Sequence, residues 1–358
     1  MRRAEFELTR ADAIGLLSEL PVVHLASTLA DGTPVLRTVH PVVVGDRVCF
    51  HSAPKGEKTA LVGRPAVLQA EEPIATVPST FFDPEKACPA TTYYRSVQVH
   101  GVLEELEDAH GKARVLQALM EKLQPEGGHV PITAGDPRYR GPVNGLLVVG
   151  VRLDRVAGKA KLAQNRTPAQ IARLLEQLWE RGADGDARAL ELVRAANPDA
   201  PTPAFLAAPA GVTLHAWLPA SAATDAARLL AGEYWNDVFT HADLVAAHRG
   251  ATAWIGARDA AGALVASARA IADGGKLAWI YDVIVAPAWR GRGLGQALMR
   301  LLLDHPRVRG CKRVWLGTRD AQSLYARFGF VDRAALPPRA FASTDMVLVR
   351  GDRFMGRK

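Results

Sequence analysis

The chain has 358 residues, of which 48% are hydrophobic and 23% charged, with a formal net charge of +7. That length is too great for one ordinary core and suits two domains, and the composition excludes a disordered or collagen-like chain. The sequence holds no run of about 20 apolar residues and its start, Met1-Arg2-Arg3-Ala4-Glu5, lacks the apolar centre of a signal peptide, so a cytoplasmic protein with no membrane partner is expected.

In chain order, the spacing of apolar residues predicts a helix over 9–20. From Val22 to Gly101, short apolar runs alternate with turn signals. Val22–Leu29, Val35–Val44 and Val48–His51 are expected as consecutive antiparallel strands, turning at Asp31-Gly32 and at Gly45-Asp46. Val115, Leu116, Leu119 and Leu123 predict a helix over 111–124, ended by Pro125-Glu126-Gly127-Gly128, and a strand is expected over 145–153. Thr167 as N-cap and Pro168 at the first helical position open a helix to about Arg181. The proline-rich stretches 197–203 and 207–211 are expected to separate the halves, giving domains 1–206 and 207–358. Beyond them come a strand over 212–218, helices over 224–235 and 241–249, and a hairpin of 252–258 with 263–272 around Asp259-Ala260-Ala261-Gly262. Cys49, Cys88 and Cys311 are widely separated and form no C-x-x-C pair, so neither a disulfide framework nor a metal site is expected, and Cys88 reads as a small hydrophobe. No helix-turn-helix or arginine-rich arm points to a nucleic acid.

The most specific segment runs from Ile280 through Asp282-Val283-Ile284-Val285 to Arg290-Gly291-Arg292-Gly293-Leu294-Gly295 and into a helix bearing Leu298, Leu301 and Leu302 on one face. A strand thus enters a basic, glycine-rich turn at a helix N-terminus, where unpaired amides and the helix dipole bind phosphate oxygens. The glycine spacing fits neither G-x-G-x-x-G nor a P-loop. Arg290, Gly293 and Gly295, followed by the strand 313–318 and by Tyr325-Ala326-Arg327-Phe328-Gly329-Phe330, resemble the GNAT acetyltransferases over roughly 212–350. The resemblance implies an α/β fold with a mixed central sheet, acetyl-CoA as donor and a small-molecule amine as acceptor. It places the backbone of Val283, Ile284 and Val285 along the pantetheine arm, the segment Arg290, Gly291, Arg292, Gly293, Leu294 and Gly295 at the pyrophosphate, and Tyr325 as acid to the leaving thiolate. Asp282 and Glu233, the latter expected in the first helix of this domain, are candidate bases for the amine, and Asp320 stands where it would cap the Tyr325 helix.

In the N-terminal half, Arg37-Thr38 and Phe50-His51-Ser52 fall on neighbouring strands, with Lys58 in the following turn, a surface suited to a phosphate and a ring system. With Tyr93-Tyr94-Arg95-Ser96-Val97 and the basic stretch 159–166, these residues resemble the FMN-binding split barrel of the pyridoxamine-phosphate-oxidase-like superfamily, especially its nitroimidazole-reductase-like branch, over roughly 6–206. That implies a mainly antiparallel β split barrel with flanking helices, FMN at a homodimer interface and NAD(P)H as reductant. Arg37, Thr38, Phe50, His51, Ser52 and Lys58 would line the flavin site, with Arg95 and Ser96 near it. A bifunctional flavoprotein and N-acetyltransferase is the expected whole. The alternative is a sensor whose barrel holds flavin or haem, with His51 as iron ligand.

Overall fold

The computed structural model describes residues 4–336 and divides into two compact units, 1–165 and 166–358. Positions 337–350 of the acetyltransferase resemblance, and the rest of the expected second domain beyond them, lie outside the described residues.

In the first unit, α1 (Arg10–Glu19) is capped by the Thr9 hydroxyl and leads into β1 (Val23–Thr28), β2 (Pro34–Val39), β3 (Val42–Val44) and β4 (Arg47–Ser52). The long strands β5 (Pro65–Val77) and β6 (Thr91–Val102) come next, then β7 (Glu104–Glu105), α2 (Ala109–Leu123), α3 (Arg140–Gly145), β8 (Leu147–Arg152) and β9 (Arg155–Lys161). Among the described residues they form a sheet β2-β1-β5-β6-β9 and a sheet β3-β4-β8-β7, with every pairing antiparallel. This is the split barrel with flanking helices. The run 35–44, expected as one strand, is instead two strands in two sheets. Pro41 has no N–H for a ladder, so the chain leaves one sheet there and enters the other. Leu25, Phe50, Leu68, Val97 and Val149 fill the space between the sheets.

The second unit begins with α4 (Pro168–Arg181), where Thr167 and Gln170 form a capping box with Pro168 in the first turn, followed by α5 (Asp186–Ala196), which the apolar spacing had not revealed. The boundary therefore falls ahead of these helices and not at the proline-rich stretch. Their contacts explain it: Trp179 stacks on Phe205 at 4.7 Å and donates to Asp304 at 2.6 Å, and Glu191 accepts from the Ala216 amide at 2.7 Å. Proline marked an irregular loop inside a packed unit. Thr167→Ala is expected to lower the midpoint of urea unfolding of the second unit, by about 1 kcal/mol of stability, because one capped amide loses its acceptor.

The rest of this unit comprises β10 (Val212–His215), α6 (Ala223–Leu229), α7 (His241–Arg249), β11 (Ala253–Asp259), β12 (Leu264–Ala272), β13 (Leu277–Val285), α8 (Leu294–Asp304), β14 (Arg313–Trp315) and α9 (Gln322–Ala326). The sheet order is β10-β11-β12-β13-β14, antiparallel except for the parallel pair β13–β14, so the sheet is mixed. The helix expected over 224–235 stops at Leu229, because Gly232 takes a φ of 81° and turns the chain into a 3-10 turn at Tyr234–Asn236.

Candidate functional site

The strands β13 and β14 pair only at Leu277–Arg313, Ala278–Val314 and Trp279–Trp315; beyond that point β14 ends while β13 continues to Val285. The strand expected over 313–318 is accordingly shorter. The two chains splay, and a cavity of about 370 Å³ opens between Ile280–Val283 on one side and Leu316–Thr318 with Tyr325 on the other. Backbone groups of β13 that would have met a neighbouring strand face this opening.

Asp282 lies at a β-bulge. Ser267 pairs with Ile284 and Arg269 with Tyr281, so β13 carries one more residue than β12 between these pairs, and Asp282 takes a φ of 53°. Its carboxylate is buried against Arg269 at 2.6 Å and accepts from Asn236 at 3.4 Å. That arrangement makes Asp282 a structural group that fixes the bulge, since a carboxylate bound to a buried guanidinium is poorly placed to take a proton from an amine. Glu233 is not in a helix; it precedes the 3-10 turn and lies 3.4 Å from Arg290, outside the lining of the cavity. Neither expected base is a free carboxylate in the cavity.

At the far end of β13, Arg290 Nε donates to the Val285 carbonyl at 2.9 Å, and the Arg292 guanidinium lies over the Trp289 ring. Gly291 and Gly293 have φ values of 74° and 83°, Gly293 is the N-cap of α8, and no side chain caps that helix. The amides of Leu294, Gly295 and Gln296, in the first turn of α8, have no carbonyl four residues back within the helix to receive them. A Cβ placed on Gly293 would have no protein atom within 4 Å among the described residues. Open space, unpaired amides and two arginines fit a diphosphate.

Tyr325 is buried on α9, lines the cavity and meets Phe330 edge to face with ring centres 6.0 Å apart. Desolvation, with smaller contributions from Tyr234 and Asp320, raises its pKa above the ordinary tyrosine value, so the phenol keeps its proton throughout the neutral range. Asp320 does not cap the helix: Ala321 is the N-cap, its amide is taken by the Thr318 hydroxyl at 3.0 Å, and Asp320 lies 3.4 Å from Arg319. A residue missed in the sequence is Trp235, whose indole nitrogen is buried without a hydrogen-bond partner among the described residues and whose ring lines the cavity. Only the fold shows that this N–H is unmatched.

In the first unit, Lys58 donates to Ser52 at 3.4 Å and Arg37 pairs with Glu57, so the expected cations meet at the short 3-10 helix Glu57–Leu61. Desolvation lowers the pKa of His51, and the charges of His40 and Lys58 act in the same direction. Thr38 lies 3.4 Å from His24 across the β1–β2 pair. Phe50 faces the other way and is fully buried in the barrel core, because successive residues of β4 alternate between faces. Its ring is core packing. Arg95 is held by Glu72 at 2.7 Å, and Lys159 lies over the rings of Phe6 and Tyr94. Two cations, a hydroxyl and one acid at a single turn fit a phosphate monoester.

The fold and these two sites define a class: a split barrel with a basic turn, joined to a mixed-sheet domain with a splayed strand pair and a basic, glycine-rich loop at a helix N-terminus. Residues 9–160 match the family described as Pyridoxamine 5'-phosphate oxidase, and residues 220–330 match the Acetyltransferase (GNAT) family. The chain joins one domain of each kind. It is 40% identical over 75 residues to glucosamine 6-phosphate N-acetyltransferase 1 of Oryza sativa subsp. japonica, covering 21% of this chain and 46% of that protein. It is 36% identical over 76 residues to streptothricin acetyltransferase of Streptomyces lavendulae, covering 20% of this chain and 35% of that protein. The chain thus spans less than half the length of either curated relative. Among solved structures, the FAD and heme binding protein from Mycobacterium smegmatis matches at 21% identity and a TM-score of 0.37, over 43% of this chain and 71% of that one.

Proposed function

We propose that the second unit is an acetyl-CoA-dependent N-acetyltransferase acting on a small-molecule amine, and that the first unit binds FMN as an oxidoreductase domain. The observation that carries the first part is the splay of β13 from β14, which opens one cavity lined by both the β13 backbone and Tyr325. The pantetheine arm runs along Val283–Val285, the diphosphate meets the amides of Gly291–Gly295 with Arg290 and Arg292, and the thioester lies near Tyr325. Attack of the amine forms the C–N bond, the C–S bond breaks, and Tyr325 gives its proton to the sulfur. The amine sheds its own proton to solvent, since Asp282 is bound to Arg269 and Glu233 lies beside Arg290. Release of coenzyme A thiol, followed over a panel of small amines, tests this: no amine-dependent release would overturn it.

In the first unit, Arg37, Ser52 and Lys58 hold the phosphate of FMN, with Thr38 and His51 near the ring system, Arg95 and Ser96 further along β6, and the site completed at a homodimer interface. FMN would supply hydride transfer from NAD(P)H. Lys58→Glu is expected to weaken FMN binding by about tenfold or more, because a charge-assisted hydrogen bond is replaced by repulsion. Titration of flavin fluorescence reads the change, and equal affinity in both proteins would remove Lys58 from the site. The alternative is a flavin- or haem-binding sensor that controls the transferase. In the haem form His51, an exposed imidazole near the end of β4, would be the iron ligand. The visible spectrum of the purified protein separates a flavin from a haem, and the rate of flavin reduction by NADH or NADPH separates an enzyme from a sensor.

A further inference from the structure

The glycine-rich loop follows β13, so a thioester carried along Val283–Val285 would enter the splay cavity from its downstream side. An acceptor then has the upstream side, toward Trp279 and Tyr281, which both line the cavity. These two residues share one face of β13, because the strand alternates exposed and buried residues from Leu277 to Asp282. They keep accessible surface there: Trp279 is 43% exposed and Tyr281 37%. Trp279 belongs to the last ladder pair before β14 parts from β13. Its ring lies 6.0 Å from that of Tyr281 and 5.9 Å from that of Trp315, within 20° of parallel in both cases. Phe239, from the loop between α6 and α7, lines the same cavity and is 44% exposed. Accessible rings in a cavity of about 370 Å³ suit a small ligand with a flat ring, since offset stacking adds to the gain from burying its surface.

The charges of the lining act on the rest of the ligand. Among the described residues, Arg269 is the one cation that lines the cavity. It is buried, its Nε lies 2.6 Å from the Asp282 carboxylate, and its guanidinium lies 4.8 Å from the centre of the Tyr281 ring, so it is already engaged at the bulge. Arg269 and Asp282 cancel, which leaves the carboxylate of Asp320, 63% exposed and only loosely paired with Arg319 at 3.4 Å. A phosphate or carboxylate on the ligand would lose water here and meet no uncommitted cation. An ammonium group instead meets a carboxylate and the faces of aromatic rings.

We propose, resting on the acetyl-transfer reading above, that the acceptor is a small arylalkylamine: a primary amine on a short chain ending in an aromatic ring, with no phosphate or carboxylate. The ring packs against Trp279 and Phe239, and the amine extends toward Val283, where the thioester would stand.

The probe is 2-phenylethylamine, titrated by calorimetry into the full chain with coenzyme A present. Beside it are L-phenylalanine, which adds a carboxylate, and glucosamine 6-phosphate, which carries an anion and no aromatic ring. 2-Phenylethylamine is expected to bind about tenfold more tightly than either, the effect of one unpaired charge or one lost ring contact. Trp279→Ala should weaken 2-phenylethylamine by about tenfold and leave acetyl-CoA affinity unchanged, while Trp279→Phe restores a ring and most of the binding. Phe239→Leu, which keeps apolar bulk without the ring, should weaken the amine in the same direction from a different element. Ile271→Ala removes an exposed apolar side chain of β12 outside the lining and should change neither affinity. If 2-phenylethylamine fails to bind, binds no better than either anionic amine, or binds Trp279→Ala and Phe239→Leu as well as the natural chain, the proposal is overturned. Binding as expected, but with no release of coenzyme A thiol from acetyl-CoA, would overturn the acetyl-transfer reading and leave the amine site standing.

Discussion

Gly293→Glu is expected to lower acetyl-CoA affinity by about 10²-fold or more, because charge-assisted contacts to phosphate are replaced by repulsion at the same point. Gly293 is the N-cap of α8 at a φ of 83°, and a Cβ there would have no protein atom within 4 Å among the described residues, so the new carboxylate would stand where the proposed site receives the diphosphate. The variant also strains the backbone, since a residue with a side chain enters the left-handed region at a cost of about 1 kcal/mol. Gly293→Asn separates the two effects. Asparagine tolerates that φ and caps helices well, yet carries no charge, so it should retain most of the affinity. Calorimetry on both variants, with thermal unfolding as the fold control, decides the matter. Equal loss in both would mean that backbone strain governs the loop, and no loss in the glutamate variant would mean that the loop does not meet a phosphate.

Tyr325→Phe is expected to reduce the acetyl-transfer rate by about 10²-fold with little change in acetyl-CoA affinity, the signature of a general acid that acts as charge develops on sulfur. The phenylalanine ring keeps the edge contact with Phe330 and the burial of Tyr325, so stability should change little. Because desolvation raises the Tyr325 pKa, its proton is present below that raised value and is lost only above it. The wild-type rate should therefore show no fall on Tyr325 ionisation before the pH passes the ordinary tyrosine range, about 10. Steady-state rates on an acceptor found by screening amines, with chemistry shown to limit turnover, provide the measurement. If the phenylalanine variant turns over as fast as the natural enzyme, Tyr325 only packs α9 against the sheet and water supplies the proton.

The glycine-rich turn into α8 and most of the elements were legible in the sequence because their causes are local. Thr9, Thr167 and Thr240 bring their own capping hydroxyls to α1, α4 and α7, and the glycines of 291–295 answer a backbone need that holds wherever the segment lies. The fork at Pro41 was local too, a missing N–H, but which sheets it joins was not written there. Tertiary structure decided what each polar group has left to offer. Asp282 read as a base until the register of β12 set Arg269 beside it, and Phe50 read as a flavin contact until the pleat of β4 turned it into the core. The proline-rich stretch read as a boundary, yet Trp179 and Glu191 tie α4 and α5 to Asp304 and Ala216 on its far side. Likewise, nothing near His248 in the chain foretells that its Nε2 is buried with no hydrogen-bond partner among the described residues, because that depends on which side chains long-range packing brings around it. Caps and turns arise from neighbours along the chain, whereas the availability of a carboxylate, an indole or an imidazole depends on partners that only long-range packing brings near.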